Sequence, residues 1–150
     1  MSTDTDLIKL YSTQILGLAA DIPNLERLTA PDASTKKRSP LCGSTVTVDV
    51  NSKDGHVSQF GLDVKACALG QASASVLSAS IIGCSLADLE RAQEQLKGML
   101  KNNGPVPDAP FEGFKVLTPA REFKNRHASI MLALDASVEA LRDANQKACA

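Results

Sequence analysis

The stretch from Ser44 to Gly83 reads STVTVDVNSKDGHVSQFGLDVKACALGQASASVLSASIIG and carries the strongest structural signals in the chain. Within it, Ser44–Asn51 alternates valine with polar residues, which is typical of a strand with one buried face. An Asp-Gly pair at positions 54 and 55 then favours a tight turn, and His56–Ala66 alternates again. We therefore predict a β-hairpin, with a β-bulge at Gly61 where the alternation is interrupted.

The end of this stretch, Ala68–Gly83, is rich in Ala and Ser and contains no charged residue. A helix of this composition has no polar face to offer to water, so we predict that it is almost wholly buried. Its small side chains allow other elements to approach the backbone closely. Its Ser hydroxyls are expected to bond back to carbonyls within the helix.

Further elements are predicted on both sides of this stretch. Upstream, we expect an amphipathic helix over Thr3–Ala20 with Thr3 or Asp4 as N-cap, and an edge strand over the polar segment Ser34–Arg38. Downstream, we expect a helix from a capping-box-like Ser85 to about Lys101, a helical turn over Phe111–Leu117 that ends at Thr118-Pro119, and a patterned helix over Arg126–Lys147. This order predicts an α+β fold whose small antiparallel sheet is covered on one face.

Length and charge exclude several classes of protein. The 150 residues suffice for one well-buried domain, spanning 1–150, and are few for two. With 16 basic and 17 acidic residues, the formal net charge of −1 supports neither nucleic acid nor an anionic membrane as partner. No run approaches the roughly 18 apolar residues of a membrane span, and the start MSTDTDLIKLY lacks the features of a secretion signal. We expect a cytoplasmic protein.

Two of the four cysteines are candidates for one shared site. Cys42 precedes Gly43 at the start of the first strand, and Cys67 ends the second strand at the N-terminus of the buried helix. Because a hairpin brings these strand ends together, we expect the two sulfur atoms to lie within about 8 Å, close enough to share a metal. Cys84 lies about 25 Å further along a helix and is predicted to be a core residue.

Three motifs resemble those of the U-type iron-sulfur cluster assembly scaffolds, the family of IscU, SufU and the N-terminal domain of NifU. Ser39-Pro40-Leu41-Cys42-Gly43-Ser44 is similar to the family's P-x-C-G-D, and Ala66-Cys67-Ala68 with the Ala/Ser-rich helix is similar to its G-C-x-x-x-x-A-S-x-S. Arg126-His127-Ala128-Ser129 with Met131-Leu132-Ala133 is similar to its third cysteine motif, although more weakly. The resemblance implies a sheet of about three strands packed against about five helices.

The resemblance also implies a metal or cluster site of three Cys and one Asp, from which this chain departs twice. Ser44 stands at the position of the Asp, and Ser129 stands at the position of the third Cys. Thiolate is the species that binds iron or zinc, whereas a serine hydroxyl is barely ionised near neutral pH. Cys42 and Cys67 are then the two strong ligands, and the imidazole of His127 is the one plausible substitute.

The expected function is a scaffold or carrier that binds iron or an iron-sulfur cluster, with cysteine desulfurase and apo iron-sulfur recipient proteins as the partners that the resemblance implies. Binding is expected to be weak, or to be completed by a second subunit in a homo-oligomer. Two alternatives stay open: zinc at the same residues, and a family member that acts as an interaction or regulatory module without a cluster. No catalytic constellation is present in the sequence, so an enzyme is not expected.

Overall fold

The computed structural model of the protein describes residues 12–40 and 43–149. The first described helix, α1, spans Thr13–Ala20. Ser12 is its N-cap, with φ −60° and ψ 162°, and its hydroxyl accepts a hydrogen bond from the Ile15 N–H at 3.3 Å. Because this backbone is extended, the prediction of one continuous helix over Thr3–Ala20 is wrong; the predicted caps at residues 3 and 4 lie outside the described residues.

The sheet has three antiparallel strands in the order β1-β2-β3, and α4, the last helix of the chain, packs against its inner face. The strands are β1 (Ala33–Arg38), β2 (Thr45–Lys53) and β3 (His56–Lys65). The predicted edge strand is thus confirmed as β1, and the predicted hairpin as β2–β3. The valines of β2 at alternate positions are fully buried, as the alternation indicates.

The predicted bulge at Gly61 is wrong, because Gly61 pairs regularly with Asp49. The register shift falls instead between Asn51 and Ser52 of β2. Gly61 interrupts the alternation for another reason. A Cβ there would overlap the Glu26 carbonyl oxygen and lie 3.2 Å from Leu28 Cγ. The glycine therefore leaves room for the segment around Asn24–Leu28, which crosses the outer face of the sheet.

The buried helix α2 spans Ala68–Ser80, three residues shorter than the predicted end at Gly83. Its residues from 72 to 78 are all buried, so the predicted burial is confirmed for the middle of the helix. Ala79, Ile82 and Gly83 are exposed, so almost complete burial over Ala68–Gly83 is wrong at the C-terminal end. The serines do not bond back within the helix as expected. Ser73 donates to the Ile130 carbonyl at 2.6 Å, and the two serines further along donate to carbonyls of neighbouring segments. The serines therefore tie α2 to the elements around it.

Three helical elements complete the chain: α3 (Leu86–Lys101), a 3-10 segment (Glu112–Glu122) and α4 (Lys124–Cys149). The capping box at Ser85 is confirmed, since the Ser85 hydroxyl accepts from the Asp88 N–H and the Asp88 carboxylate accepts from the Ser85 N–H. The predicted break at Thr118-Pro119 is wrong, because the 3-10 segment continues through Pro119. Within the described range, no helix has the length and apolarity needed to cross a membrane.

Candidate functional site

Cys67 occupies the N-cap position of α2, directly after β3. Its φ of −66° and ψ of 169° are extended, and its side chain makes no capping hydrogen bond to the helix. The thiol is only partly buried, so it is accessible from the rim of the sheet. Its Sγ lies 3.5 Å from Ser129 Oγ on α4. The local chain direction therefore turns the thiol toward α4 and not toward its own helix.

Ser129 joins Cys67 to the start of β2. Its hydroxyl donates to Ser44 Oγ at 3.2 Å, and both serines are almost completely buried. Ser44 is held by the backbone, because its carbonyl accepts from the Ser39 N–H at 2.8 Å. The side chains of Cys67, Ser129 and Ser44 thus form one connected group, the Cys67–Ser129–Ser44 cluster, contributed by three separate parts of the chain.

Close packing of α2 against α4 brings this cluster together. A Cβ on Gly70 would lie 2.7 Å from Ser129 Oγ, so only glycine allows the first turn of α2 to come this near. One turn further along α2, the hydrogen bond from Ser73 to the Ile130 carbonyl fixes the same two helices. The small residues of α2 therefore position the site as well as fill the core.

Cys42 lies outside the described residues, so its expected distance from Cys67 stays a prediction. His127 is described, and the structure does not place it with the cluster. Its Nε2 donates to the Ala120 carbonyl at 2.8 Å, and its ring lines a cavity beside α3. Two residues differ by about 200° around a helix, so His127 and Ser129 project to different sides of α4.

The chemistry of the cluster is that of one soft donor and two hydroxyls. Cys67 supplies a sulfur that binds iron or zinc as thiolate, while the hydroxyl of Ser129 can donate to that sulfur or accept from it. Across the described residues, no three His, Cys, Asp or Glu side chains are grouped closely enough to hold a metal ion. A metal here would need a further strong ligand besides the cluster.

Cys84 is a core residue, as predicted. It is 5% exposed, and its thiol donates to the Ser80 carbonyl at 3.4 Å. Burial raises the pKa of the Cys84 thiol, and the negative charge of Asp88 raises it further. The thiol is therefore held in its neutral form and is chemically distinct from the accessible Cys67.

Among the described residues, the carboxylate with the most hydrogen bonds is that of Asp49, which the sequence motifs did not mark. Asp49 is fully buried on β2, where its oxygens accept from the Arg27 guanidinium at 2.6 and 3.1 Å, from the Leu28 N–H at 3.0 Å and from the Ser34 hydroxyl at 2.5 Å. Burial acts to raise the pKa of Asp49, but these hydrogen bonds outweigh it and lower the pKa below its usual value. The network fastens the segment before β1 to the sheet; the only sequence signal was a lone acidic residue within a strand.

Comparisons with known proteins place this architecture in a defined class. No family model matches the chain, and no curated protein matches it. Among solved structures, it is similar to an iron-sulfur cluster assembly scaffold protein for the SUF system from Fervidobacterium islandicum, with a TM-score of 0.79 and 16% identity over 89% of this chain and 98% of that one. That likeness shows that this chain has the same α+β fold as the SUF-system protein.

A second structure shows the family. The N-terminal part of a nitrogen-fixing NifU-like protein from Brucella abortus superimposes with a TM-score of 0.91 and is 41% identical, covering 95% of this chain and 99% of that one. The chain belongs to the family of NifU-like N-terminal domains. The resemblance seen in the sequence motifs and the predicted three-stranded α+β fold are both confirmed.

Proposed function

We propose that this protein is a scaffold or carrier in iron-sulfur cluster assembly that binds iron or a cluster as cargo through Cys42 and Cys67. The observation that carries the proposal is the contact of Cys67 with Ser129 and of Ser129 with Ser44. By the motif resemblance, these three positions correspond to a Cys, a Cys and an Asp of the family's site. Their convergence in space supports a site at the same place in this chain.

Covalent geometry supports the inclusion of Cys42. It precedes Ser44 by two residues, and consecutive Cα atoms are 3.8 Å apart, so the Cα atoms of the two residues are separated by at most about 7.6 Å. Ser44 itself belongs to the cluster. Cys42 and Cys67 would then be the strong ligands, with Ser44 and Ser129 as auxiliary oxygen donors or hydrogen-bond donors to the thiolates.

The two serines determine how tightly cargo is held. A hydroxyl is a weaker ligand than a thiolate, because it rarely ionises near neutral pH. We infer weak, releasable binding, which suits a protein that passes its cargo on. Cysteine desulfurase and apo iron-sulfur proteins are the partners in this proposal, a homo-oligomer could complete the ligand set, and the site of action would be the cytoplasm.

Anaerobic reconstitution tests the proposal. The purified protein is incubated with ferrous iron and sulfide, and bound iron and acid-labile sulfide are measured. We expect substoichiometric binding by the wild type, loss of binding in Cys42→Ser and Cys67→Ser, and increased binding in Ser129→Cys, because the last change adds a thiolate beside Cys67.

Ser137→Cys is the matched control for the added thiol. Ser137 is fully buried on the same helix as Ser129, eight residues further on and so about 12 Å along the axis. The Ser137→Cys variant should not bind more iron than the wild type.

If neither the wild type nor Ser129→Cys combined with Ser44→Asp binds iron and sulfide, the cluster site is refuted and the interaction-module alternative stands. Binding of zinc without sulfide would favour a zinc protein.

A further inference from the structure

The groove between α3 and α4 is a feature that the proposed function does not use. A cavity of about 780 Å³ opens there, which is within the size range of small-molecule sites. Its lining comes from one stripe of each helix, at spacings of three and four residues. Ser129 faces Cys67 on a different side of α4. The cavity is therefore separate from the Cys67–Ser129–Ser44 cluster.

Two contacts fix how the helices are aligned along the groove. Gln93 Nε2 donates to Asp135 Oδ1 at 2.7 Å, and Arg142 pairs with Glu90 at 3.1 Å. Glu90 precedes Gln93 on α3, but its partner Arg142 follows Asp135 on α4, so the two helices are antiparallel. The last turns of α3 accordingly lie beside the first turns of α4.

This alignment places the lysines of the cavity together. Lys97 and Lys101 of α3 and Lys124 of α4 gather at one end, and all three are exposed. None of them takes part in the ion pairs formed within residues 12–40 and 43–149. Of the acidic lining residues, Glu90 lies at the other end and pairs with Arg142. Glu94 lies one turn before Lys97 on α3. Burial raises the pKa of Asp135, and the nearby charges of Lys97 and Lys101 oppose that shift.

Between the two ends the cavity has an apolar floor. Met131 is 7% exposed and Ala128 lies one turn before it on the same stripe of α4. Beside them, the imidazole of His127 is held in place by its hydrogen bond to the Ala120 carbonyl. The cavity therefore offers a group of lysines next to a small apolar surface formed by Ala128 and Met131.

We propose that this cavity binds a small organic anion. Its anionic oxygens lie against Lys97, Lys101 and Lys124, and its carbon skeleton lies on Ala128 and Met131. The shared chemistry of the ligand is a carboxylate or phosphate group on a short carbon chain, since an ammonium pairs with either kind of anionic oxygen. The site does not depend on cargo at Cys67.

Titration of the metal-free full chain, followed by NMR at constant ionic strength, tests this proposal. The probes are succinate, glycerol 3-phosphate and inorganic phosphate. We expect a saturable shift of the Met131 methyl resonance with Kd on the order of 1 mM or tighter for one organic probe, and weaker binding of inorganic phosphate, which lacks a carbon skeleton. The methyl of Met99, which is fully buried in the core, is the internal control and should not move.

Two triple variants separate a defined site from general charge attraction. Lys97→Gln, Lys101→Gln and Lys124→Gln together should weaken binding at least about tenfold, or 1.4 kcal/mol. The matched control is Lys36→Gln, Lys53→Gln and Lys65→Gln together. These three lysines are also exposed, and their replacement should leave the Kd unchanged.

Equal weakening in both triple variants, or no saturable shift with any probe at about 20 times the expected Kd, would overturn the proposal. A lower Kd for succinate would indicate a carboxylate site, and a lower Kd for glycerol 3-phosphate would indicate a phosphate site. Cys67→Ser should retain anion binding, so the outcome is independent of whether iron binds at the cluster.

Discussion

The helices α2 and α3 have similar lengths, 13 and 16 residues, but differ in how their polar groups and N-termini are satisfied. α3 is capped by its own side chains and carries charged residues on its exposed side. α2 has no charge and no side-chain cap, and its serines donate to carbonyls of other segments. Both helices bury apolar residues in the core. The polar groups of α2 are bonded to neighbouring segments, whereas α3 also supplies its own N-terminal cap.

The largest expected effect is a charge placed inside α2. Ala74 is fully buried, so Ala74→Glu should lower the free energy of unfolding by about 3 to 5 kcal/mol, because the carboxylate has no partner there. Ala79 is exposed on the same helix, and Ala79→Glu is the matched control, with an expected effect within about 0.5 kcal/mol. Urea unfolding measures both. Equal stability of the two variants would contradict the buried position of α2.

Alanine substitution of one glycine in each helix should have opposite effects. Gly70→Ala should destabilise by about 1 to 3 kcal/mol, since the new methyl would meet Ser129 Oγ at 2.7 Å. A methyl group on Gly98 of α3 would have no neighbouring atom within 4 Å, so Gly98→Ala should stabilise by about 0.5 to 1 kcal/mol. Thermal unfolding gives the sign of each change, and the same sign for both would refute the contrast.

The N-caps of the two helices predict a smaller contrast. Ser85→Ala removes the capping box of α3 and should cost about 1 kcal/mol. Cys67 stands at an N-cap of suitable backbone geometry without capping, so Cys67→Ser should leave stability unchanged or raise it by up to about 1 kcal/mol. A loss of stability in Cys67→Ser larger than in Ser85→Ala would show that the thiol packs as a structural residue.

The smallest expected effect is a pH dependence from Cys84, between the two helices. Burial raises the pKa of its thiol in the folded state. As the pH rises above about 8.5, the Cys84 thiol therefore ionises in the unfolded chain before it does in the folded one. The folded state has its full stability below that pH and loses part of it as the pH rises further. Urea unfolding between about pH 7 and 10 should show the wild type losing stability relative to Cys84→Ala. Parallel pH profiles of the wild type and Cys84→Ala would contradict a raised pKa of the Cys84 thiol.

Much of the fold could be predicted because its signals are local. The alternating valines, the Asp-Gly turn and the capping box at Ser85 each specify structure within a few residues. The burial of Asp49 could not be predicted in this way, because its partner Arg27 lies 22 residues earlier in the chain. The same holds for Gly61, which is required by a segment that crosses it from a distant part of the sequence.

The candidate site was predictable where motifs marked it and not where orientation mattered. The positions of Cys67, Ser44 and Ser129 follow from the motifs, and their side chains lie in contact. The placement of His127 needed its direction around α4, and the two-residue spacing from Ser129 was the signal that pointed to a different side. The prediction that the α2 serines bond within their own helix was wrong because acceptors on neighbouring segments came within reach.

The segment around Asn24–Leu28, which crosses the outer face of the sheet, also covers part of its β3 edge. A strand at the edge of a sheet exposes unpaired N–H groups that can recruit a strand from another molecule. On β3, the Leu62 N–H is turned outward and donates to the carbonyls of Asn24 and Glu26, at 3.1 and 3.2 Å. Asn24 is anchored in turn by its side chain, which donates to Ser78 of α2. At Leu62 this segment therefore occupies the place that an added strand would take, and a strand from another molecule cannot pair there without displacing it.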